Sequence, residues 1–251
     1  MPLTLTALPN FPLIQPGDDL AGMILSTLKT AALPLEGGDI IVLAQKIVSK
    51  AEGRIVQLST VSPSPAALEL AAQSGKDPRL AELILRESNT ILRVRIGSVI
   101  VEHRLGFVCA NAGIDQSNVH GDEEWALLLP ENPDQSAATI RAKLEEASHA
   151  QIGVLIIDSH GRAWRIGTVG TTIGLSGLPG IIDLRGQPDL SGYTLKITVL
   201  GAADELAAAA SLMMGQAAEG TPVVHVRGFP YPLRDGSLNE LLRPKDQDMF
   251  R

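Results

Sequence analysis

The sequence predicts a mixed α+β fold, and three observations predict it. Two uninterrupted apolar runs, at residues 40–44 and 153–157, have the length and composition of strands buried on both faces. Segments with helical spacing alternate with them along the chain. Neither a phosphate-loop lysine pattern nor a Gly-x-Gly-x-x-Gly fingerprint is present, so a standard Rossmann or P-loop sheet is not supported.

Residues 3–8 alternate in polarity and open the chain with a strand. Phe11, Pro12, Leu13 and Ile14 begin a rigid connector, after which Asp18 and Asp19 cap a helix reaching about residue 32. Its apolar positions Leu20, Met23, Ile24 and Leu28 fall at helical spacing. A Gly37-Gly38 turn leads into the apolar run 40–44, and Gln45, Lys46, Lys50 and Arg54 follow it directly. Two lysines and an arginine at the end of a buried strand suit a phosphate cradle, and suit a solvated charged turn equally well.

Helices are expected over residues 66–73 and 77–87, then strands over 90–101 broken at Gly97-Ser98, then a charged turn Glu102-His103-Arg104. A further helix spans roughly 137–148. The second buried strand ends in Asp158-Ser159. A carboxylate at the carboxyl end of such a strand stands where open sheets hold ligands, although Asp is also a common turn initiator. The glycines at 167, 170, 174, 177 and 180 point to close backbone approach between packed strands. A strand at 193–200, a small-residue helix at 204–216 and a last strand at 222–226 follow. The alanine face of that helix suits tight packing or a subunit interface, and residues 235–251 read as a peripheral polar tail.

The chain is organised around residues 107–119, where an apolar strand runs into a turn rich in short polar side chains. Asp115 offers a hard oxygen suited to Mg or Mn, and Asn118 can both donate and accept hydrogen bonds. Short side chains lose little rotamer freedom when fixed, which suits a turn facing a ligand. An ordinary loop whose Asp and Asn bond their own backbone has the same composition.

At 251 residues the chain is long enough for one large domain or two modest ones. Aromatics are only 3%, so Ala, Val, Ile and Leu must build the core. A net charge of -7 disfavours nucleic acid or an anionic membrane as the main partner, since both need a basic face. The one cysteine, Cys109, cannot form an internal disulfide and reads as a buried small hydrophobe. None of the five histidines has the paired spacing of a zinc site. No apolar run suits a membrane span and no signal peptide is evident, so a cytoplasmic protein is expected.

Taken together, the motifs resemble one family, the coenzyme F420-0:L-glutamate ligases or gamma-glutamyl ligases. The likeness rests on Pro12-Leu13-Ile14 with Gly17-Asp18-Asp19-Leu20, and on Ile47-Val48-Ser49-Lys50-Ala51-Glu52-Gly53-Arg54. It continues through Asn111-Ala112-Gly113-Ile114-Asp115 with Ser117-Asn118, Ile157-Asp158-Ser159 with Gly161-Arg162, and Leu212-Met213-Met214-Gly215. Each motif alone is weak. Five in the family's order are specific.

The resemblance implies a two-lobed α+β subunit in an intertwined homodimer, a single ligase unit over residues 1–251 with a discontinuous lobe boundary. It implies a GTP-dependent amide-forming ligase. The lactyl carboxylate of coenzyme F420-0 attacks the terminal phosphate of GTP, the amine of L-glutamate displaces the acyl phosphate, and gamma-linked glutamates extend the tail. Carried over by position, Asp115, Asp158, Ser159 and Gln216 are the implied ligands of two divalent Mg or Mn ions, with a monovalent cation as a further expectation. Lys50, Asp115 and Asp158 are the implied catalytic residues. Phe11, Pro12, Leu13, Ile14, Gln45, Lys46, Lys50 and Asn118 are implied nucleotide contacts. So is the loop of Met214, Gly215, Gln216, Ala217, Ala218, Glu219, Gly220 and Thr221. Phosphoryl transfer calls for such cationic and metal-binding groups more than for a protein nucleophile.

Two positions depart from the family pattern. Gln216 stands where some members have Glu and brings no charge, with Glu219 as the neighbour that would compensate. Gln45-Lys46 stands where others carry small hydroxyl residues, which bears on specificity for guanine. Two rival readings stand beside the ligase: the same fold acting on another carboxylate, and a non-catalytic nucleotide-binding protein. Metal-dependent GTP turnover that needs both precursor and glutamate separates the three.

Overall fold

The computed structural model of the chain describes residues 2–117, 119 and 123–249. The chain runs through β1 (Thr4–Ala7), α1 (Leu20–Thr30), β2 (Ile40–Ala44), α2 (Gln45–Ala51), β3 (Ile55–Gln57), α3 (Pro65–Ser74) and α4 (Pro78–Arg86). Next come β4 (Ser88–Arg95), β5 (Ser98–His103), β6 (Val108–Ala110), β7 (Trp125–Leu127) and α5 (Pro133–Ser148). It closes with β8 (Gly153–Arg162), β9 (Arg165–Ser176), β10 (Ile182–Asp183), β11 (Val199–Leu200), α6 (Ala202–Met214) and β12 (Val223–Arg227).

Three helix starts are written in dipeptides. Ser64-Pro65, Asp77-Pro78 and Asn132-Pro133 each place a capping side chain before a proline in the first turn. Ser64 Oγ accepts from Ala67 N at 3.2 Å, Asp77 Oδ1 from Arg79 N at 2.7 Å and Asn132 Oδ1 from Gln135 N at 3.2 Å. The Asn132 cap starts α5 at Pro133, ahead of the expected residue 137, because cap and proline preset the first turn. Asp19 precedes α1 without capping it; its carboxylate pairs instead with Lys143 of α5 at 2.9 Å.

Topology explains the apolar run of β2. Five strands form the main sheet in the order β1-β12-β2-β8-β9, with β2 and β8 parallel and the other neighbours antiparallel. Being central, β2 is covered on both faces. Ile41 and Leu43 join Val154, Ile156 and Val223 beneath α1 and α5, while Ile40 and Val42 join Leu155, Ile157 and Val224 beneath α6. The alanine face of α6 packs on this same sheet through Ala203, Ala207 and Ala210.

Two β9 glycines make that packing possible. A Cβ on Gly170 would collide with the Ala207 carbonyl and with Ser211 of α6, and one on Gly174 would collide with Pro133 of α5. Both helices therefore approach the strand backbone at positions where no side chain intervenes. A smaller β4-β5-β6 sheet builds its own core with α3 and α4, and β3 pairs with β7.

The structure corrects further expectations. Residues 45–51 form a helix entered directly from β2, not a charged turn. Glu102 and His103 end β5 and are buried, because Lys245 pairs with Glu102 at 2.9 Å and Phe107 stacks on the His103 ring at 5.2 Å. Of residues 193–200 only Val199 and Leu200 pair as a strand; the preceding loop is closed by Asp189, which accepts from Ser191 N and Tyr193 N at 2.8 Å. The tail is tied down: Leu238 is buried, its N donates to Asp134 at 3.0 Å, and Glu240 accepts from Gly180 N at 3.1 Å. Among the described residues no helix is long and apolar enough to cross a membrane.

Candidate active site

The register of the main sheet brings the motifs to one edge. Ala44 of β2 pairs with Ile157 of β8, so β2 ends beside Asp158; β8 does not end there as expected but runs on to Arg162, because β9 keeps it paired past the end of β2. On the other flank Ala44 N donates to Pro222 O at 2.9 Å, which sets the end of the 214–221 loop against the same edge. A carboxyl edge of parallel strands is where open sheets hold ligands.

From this edge α2 carries Lys46 and Lys50 one turn apart on one face. Gln45 is buried and braces the helix, its Oε1 accepting from Ser49 Oγ at 2.9 Å. Lys46 Nζ stands 2.7 Å from Asp115 Oδ2 and 2.8 Å from Ser117 Oγ, while Ser117 N donates to Asp115 Oδ1 at 2.7 Å. Burial pushes the Asp115 carboxyl up, but the bonds from Lys46 and Ser117 outweigh it and hold the group below the usual carboxylate range. Burial, then the charge of Lys46, lowers the Lys50 ammonium below an ordinary lysine.

Asp115 follows a strained turn. Asn111, Ala112 and Gly113 have φ of 53°, 54° and 65°, three left-handed residues in succession. The two that are not glycine cost about 1–3 kcal/mol each. Val99 N donates to Asn111 Oδ1 at 3.0 Å and Leu129 fills the space beside Gly113, so the surroundings over-determine the turn. Upstream, the buried Cys109 thiol is driven up to about 12, by burial first and then by the charge of Asp158. β6 packs beside β8.

Asp158 Oδ2 faces His160 Nε2 at 3.1 Å without hydrogen-bonding geometry, and the His160 ring packs on Phe107. Ser159 pairs with Gly170 in the β8–β9 ladder. Because Gly170 admits α6 so closely, the loop after α6 reaches back over this position. Ser159 Oγ donates to Gln216 Oε1 at 2.8 Å, and Gln216 Nε2 donates to Ser211 Oγ at 3.0 Å. Glu219 folds back under Gly215, whose φ is 73°, and accepts from Ala217 N at 2.8 Å. Its carboxylate thus serves its own loop. Met214 is buried and its carbonyl accepts from Thr221 Oγ1 at 3.0 Å, leaving Ala217, Ala218 and Gly220 exposed.

Phe11 and Ile14 are buried in the core beneath β2, with Pro12 and Leu13 exposed between them. Asn118 lies outside the described residues. A cleft of about 520 Å³ opens on the opposite face of α2, between α1 and α5, and none of the candidate side chains lines it. His160 and Ser211, which touch Asp158 and Gln216, carried no signal in the sequence. Gly170 carried one: a glycine inside a strand pattern.

Ser159 Oγ and Gln216 Oε1 lie 2.8 Å apart. Adjacent oxygens of a Mg octahedron are separated by about 2.9 Å, so this pair matches one edge of such a shell. Both are hard oxygens of the kind a divalent ion takes, whereas Asp158, the preceding residue of β8, projects to the other face of the sheet beside His160. Among the described residues no group of three or more His, Cys, Asp or Glu converges.

Residues 10–228 match the family described as F420-0:Gamma-glutamyl ligase. A protein named coenzyme F420:L-glutamate ligase from Methanothermobacter thermautotrophicus is 49% identical over 253 residues, covering 100% of both chains. Relatives of the same name are 44% identical in Methanocaldococcus jannaschii, over 88% of each chain, and 38% identical in Methanosarcina barkeri, over 98% of this chain and 93% of that one. With most of the sequence matched to one family and its relatives aligned along nearly their full length, the chain belongs to the F420-0:gamma-glutamyl ligases.

Proposed function

We propose that this chain is a GTP-dependent ligase that joins L-glutamate to the lactyl carboxylate of coenzyme F420-0 and extends the gamma-linked glutamate tail. One observation carries the reading: Lys46 with Asp115, Lys50, and Asp158 with Ser159 and Gln216 occupy a single sheet edge, in a chain whose relatives bear that ligase name.

In this reading Lys46 and Lys50 offer ammonium donors to the phosphates, and the 214–221 loop supplies backbone contacts. Phe11 and Ile14 anchor the segment that presents Pro12 and Leu13 to the nucleotide. Asp115, Asp158, Ser159 and Gln216, the ligands the resemblance implies, would hold Mg or Mn, which would neutralise phosphate charge when bound. The acceptor carboxylate attacks the terminal phosphorus, the bond to the bridging oxygen breaks, and GDP leaves with the electron pair. The amine of L-glutamate then attacks the acyl carbon and inorganic phosphate departs. The protein's part is positioning and charge, with no nucleophile of its own.

The same reading makes the protein a cytoplasmic homodimer. Its support is exposed apolar surface: Trp164 and Ile166 at the β8–β9 hairpin, and Leu190, Tyr193 and Ile197 in the loop before β11. Mass spectrometry of a reaction containing F420-0, L-glutamate, GTP and Mn tests the function. Products heavier by one or more glutamyl units, dependent on every component, are expected. GTP binding without any such product would overturn the ligase reading.

A further inference from the structure

We infer that His160 is a positioning residue for Asp158: its buried Nε2 is the donor that fixes this carboxylate when a ligand engages the other oxygen. The inference rests on the ligase reading above, in which Asp158 is catalytic, and gives a role to a histidine that the family resemblance leaves without one.

Side chains alternate along β8, so Asp158 and His160 share one face of the sheet while Ser159 takes the other. His160 Nε2 stands 3.1 Å from Asp158 Oδ2, and the two side chains are only 10% and 16% exposed. The nitrogen is nonetheless without a hydrogen-bond partner. Its distance from Oδ2 is already that of a hydrogen bond, and the angle alone fails. A buried donor left in this state is costly, and such groups gather where a ligand completes the geometry.

The imidazole is the fixed member of the pair. Its ring lies 5.3 Å from that of Phe107, which stacks in turn on the fully buried His103 ring at 5.2 Å and 7°. Its backbone is laddered to Val169 of β9. The Asp158 carboxylate, by contrast, turns about a single bond, so its rotation closes the hydrogen bond. Asp115 is already held, by Lys46 at Oδ2 and by Ser117 N at Oδ1. Among the described residues the one side-chain nitrogen paired with Asp158 is His160 Nε2. The Cys109 thiol feels the same charge but is a weak donor. Tying Oδ2 to a rigid strand leaves Oδ1 in one place for the ligand, where a carboxylate free to turn would present either oxygen.

Two substitutions separate the donor from the packing. His160→Phe keeps a ring against Phe107 and removes the donor, whereas His160→Gln keeps an N–H that reaches about as far as Nε2. Steady-state turnover of the full chain with F420-0, L-glutamate, GTP and Mn, with products counted by mass spectrometry, reads both. The kcat of His160→Phe should fall about tenfold, as for loss of one bond to a charged group, with KM for GTP and the thermal midpoint close to native. His160→Gln should keep most of the native kcat. A native kcat in His160→Phe overturns the inference, as does a His160→Gln variant no better than His160→Phe, which would make proton uptake or ring shape the property that matters. Asp158→Asn, measured alongside, reports on the reading beneath: a native kcat there removes Asp158 from the chemistry and the inference with it. Should His160→Phe fail to fold, the kcat of His160→Gln still decides, since loss of turnover in a folded variant that retains the donor overturns the assignment.

Discussion

Ser159 Oγ and Gln216 Oε1 meet at 2.8 Å although β9 and α6 separate them in the chain. The contact depends on a missing side chain. Gly170 is the ladder partner of Ser159, and only a glycine there lets Ser211 of α6 sit against the strand. Ser211 in turn holds the Gln216 amide, so the helix end delivers Gln216 to the strand.

Replacing Gln216 by Glu adds a charge to an otherwise neutral pair of oxygens. Divalent-ion affinity rises with the charge of the ligand set, and a gain of about tenfold for Mn is expected. Calorimetry on the two proteins measures it. Equal affinities would mean that residue 216 does not touch the ion.

Gly170→Ala tests the route by which Gln216 is delivered. The new methyl group meets the Ala207 carbonyl, which is backbone and cannot rotate away. Overpacking of this kind costs about 1–3 kcal/mol, and the shift of α6 should also loosen the Ser159–Gln216 contact. Urea unfolding and Mn binding should both weaken in the variant. A loss of stability with Mn affinity intact would show that the loop finds Ser159 without the helix.

Lys50→Ala removes a partly buried ammonium from the edge shared by the candidate residues. Its charge already sits at a disadvantage, through burial and through Lys46, and an anionic ligand would relieve both. Affinity for GTP should fall about tenfold or more, with the thermal midpoint of the unliganded protein little changed. Unaltered nucleotide affinity by calorimetry would remove Lys50 from the site.

Glu87 ties Arg54 to Arg104, and here a pH dependence follows. Arg54 Nη2 lies 3.0 Å from Glu87 Oε1 and Arg104 Nε lies 2.8 Å from Oε2. Burial raises this carboxyl, but His103, Arg104 and Arg54 pull it down to about 2, from an ordinary 4.5. A depressed acid stabilises the fold above its unfolded pKa and loses that contribution as pH falls. The loss therefore falls between pH 4.5 and about 2. Glu87→Gln should cost about 3–5 kcal/mol at neutral pH, by leaving two guanidiniums without their shared anion, and should flatten that acid limb. Denaturant midpoints measured across the range check both parts. A variant with the native acid profile would place the titration elsewhere.

Local chemistry was legible without coordinates wherever the interacting groups are neighbours in the chain. The capped prolines at Ser64-Pro65 and Asp77-Pro78 act within a single turn, and the run at 40–44 is apolar enough to demand cover on both faces. The order of the motifs sufficed to identify the family. Other features depend on groups brought together from afar. Glu102 and His103 look solvated in the sequence because their partners, Lys245 and the Phe107 ring, are supplied by folding. Lys46 and Asp115 carry opposite charges in any reading, yet nothing along the chain says that they touch. Their contact comes from a helix leaving β2 toward a strained turn after β6, and the Ser159–Gln216 contact from sheet register and one absent Cβ. Residue types set which bonds and ions this protein can accept; packing between distant segments decides which oxygens are already engaged when a ligand arrives.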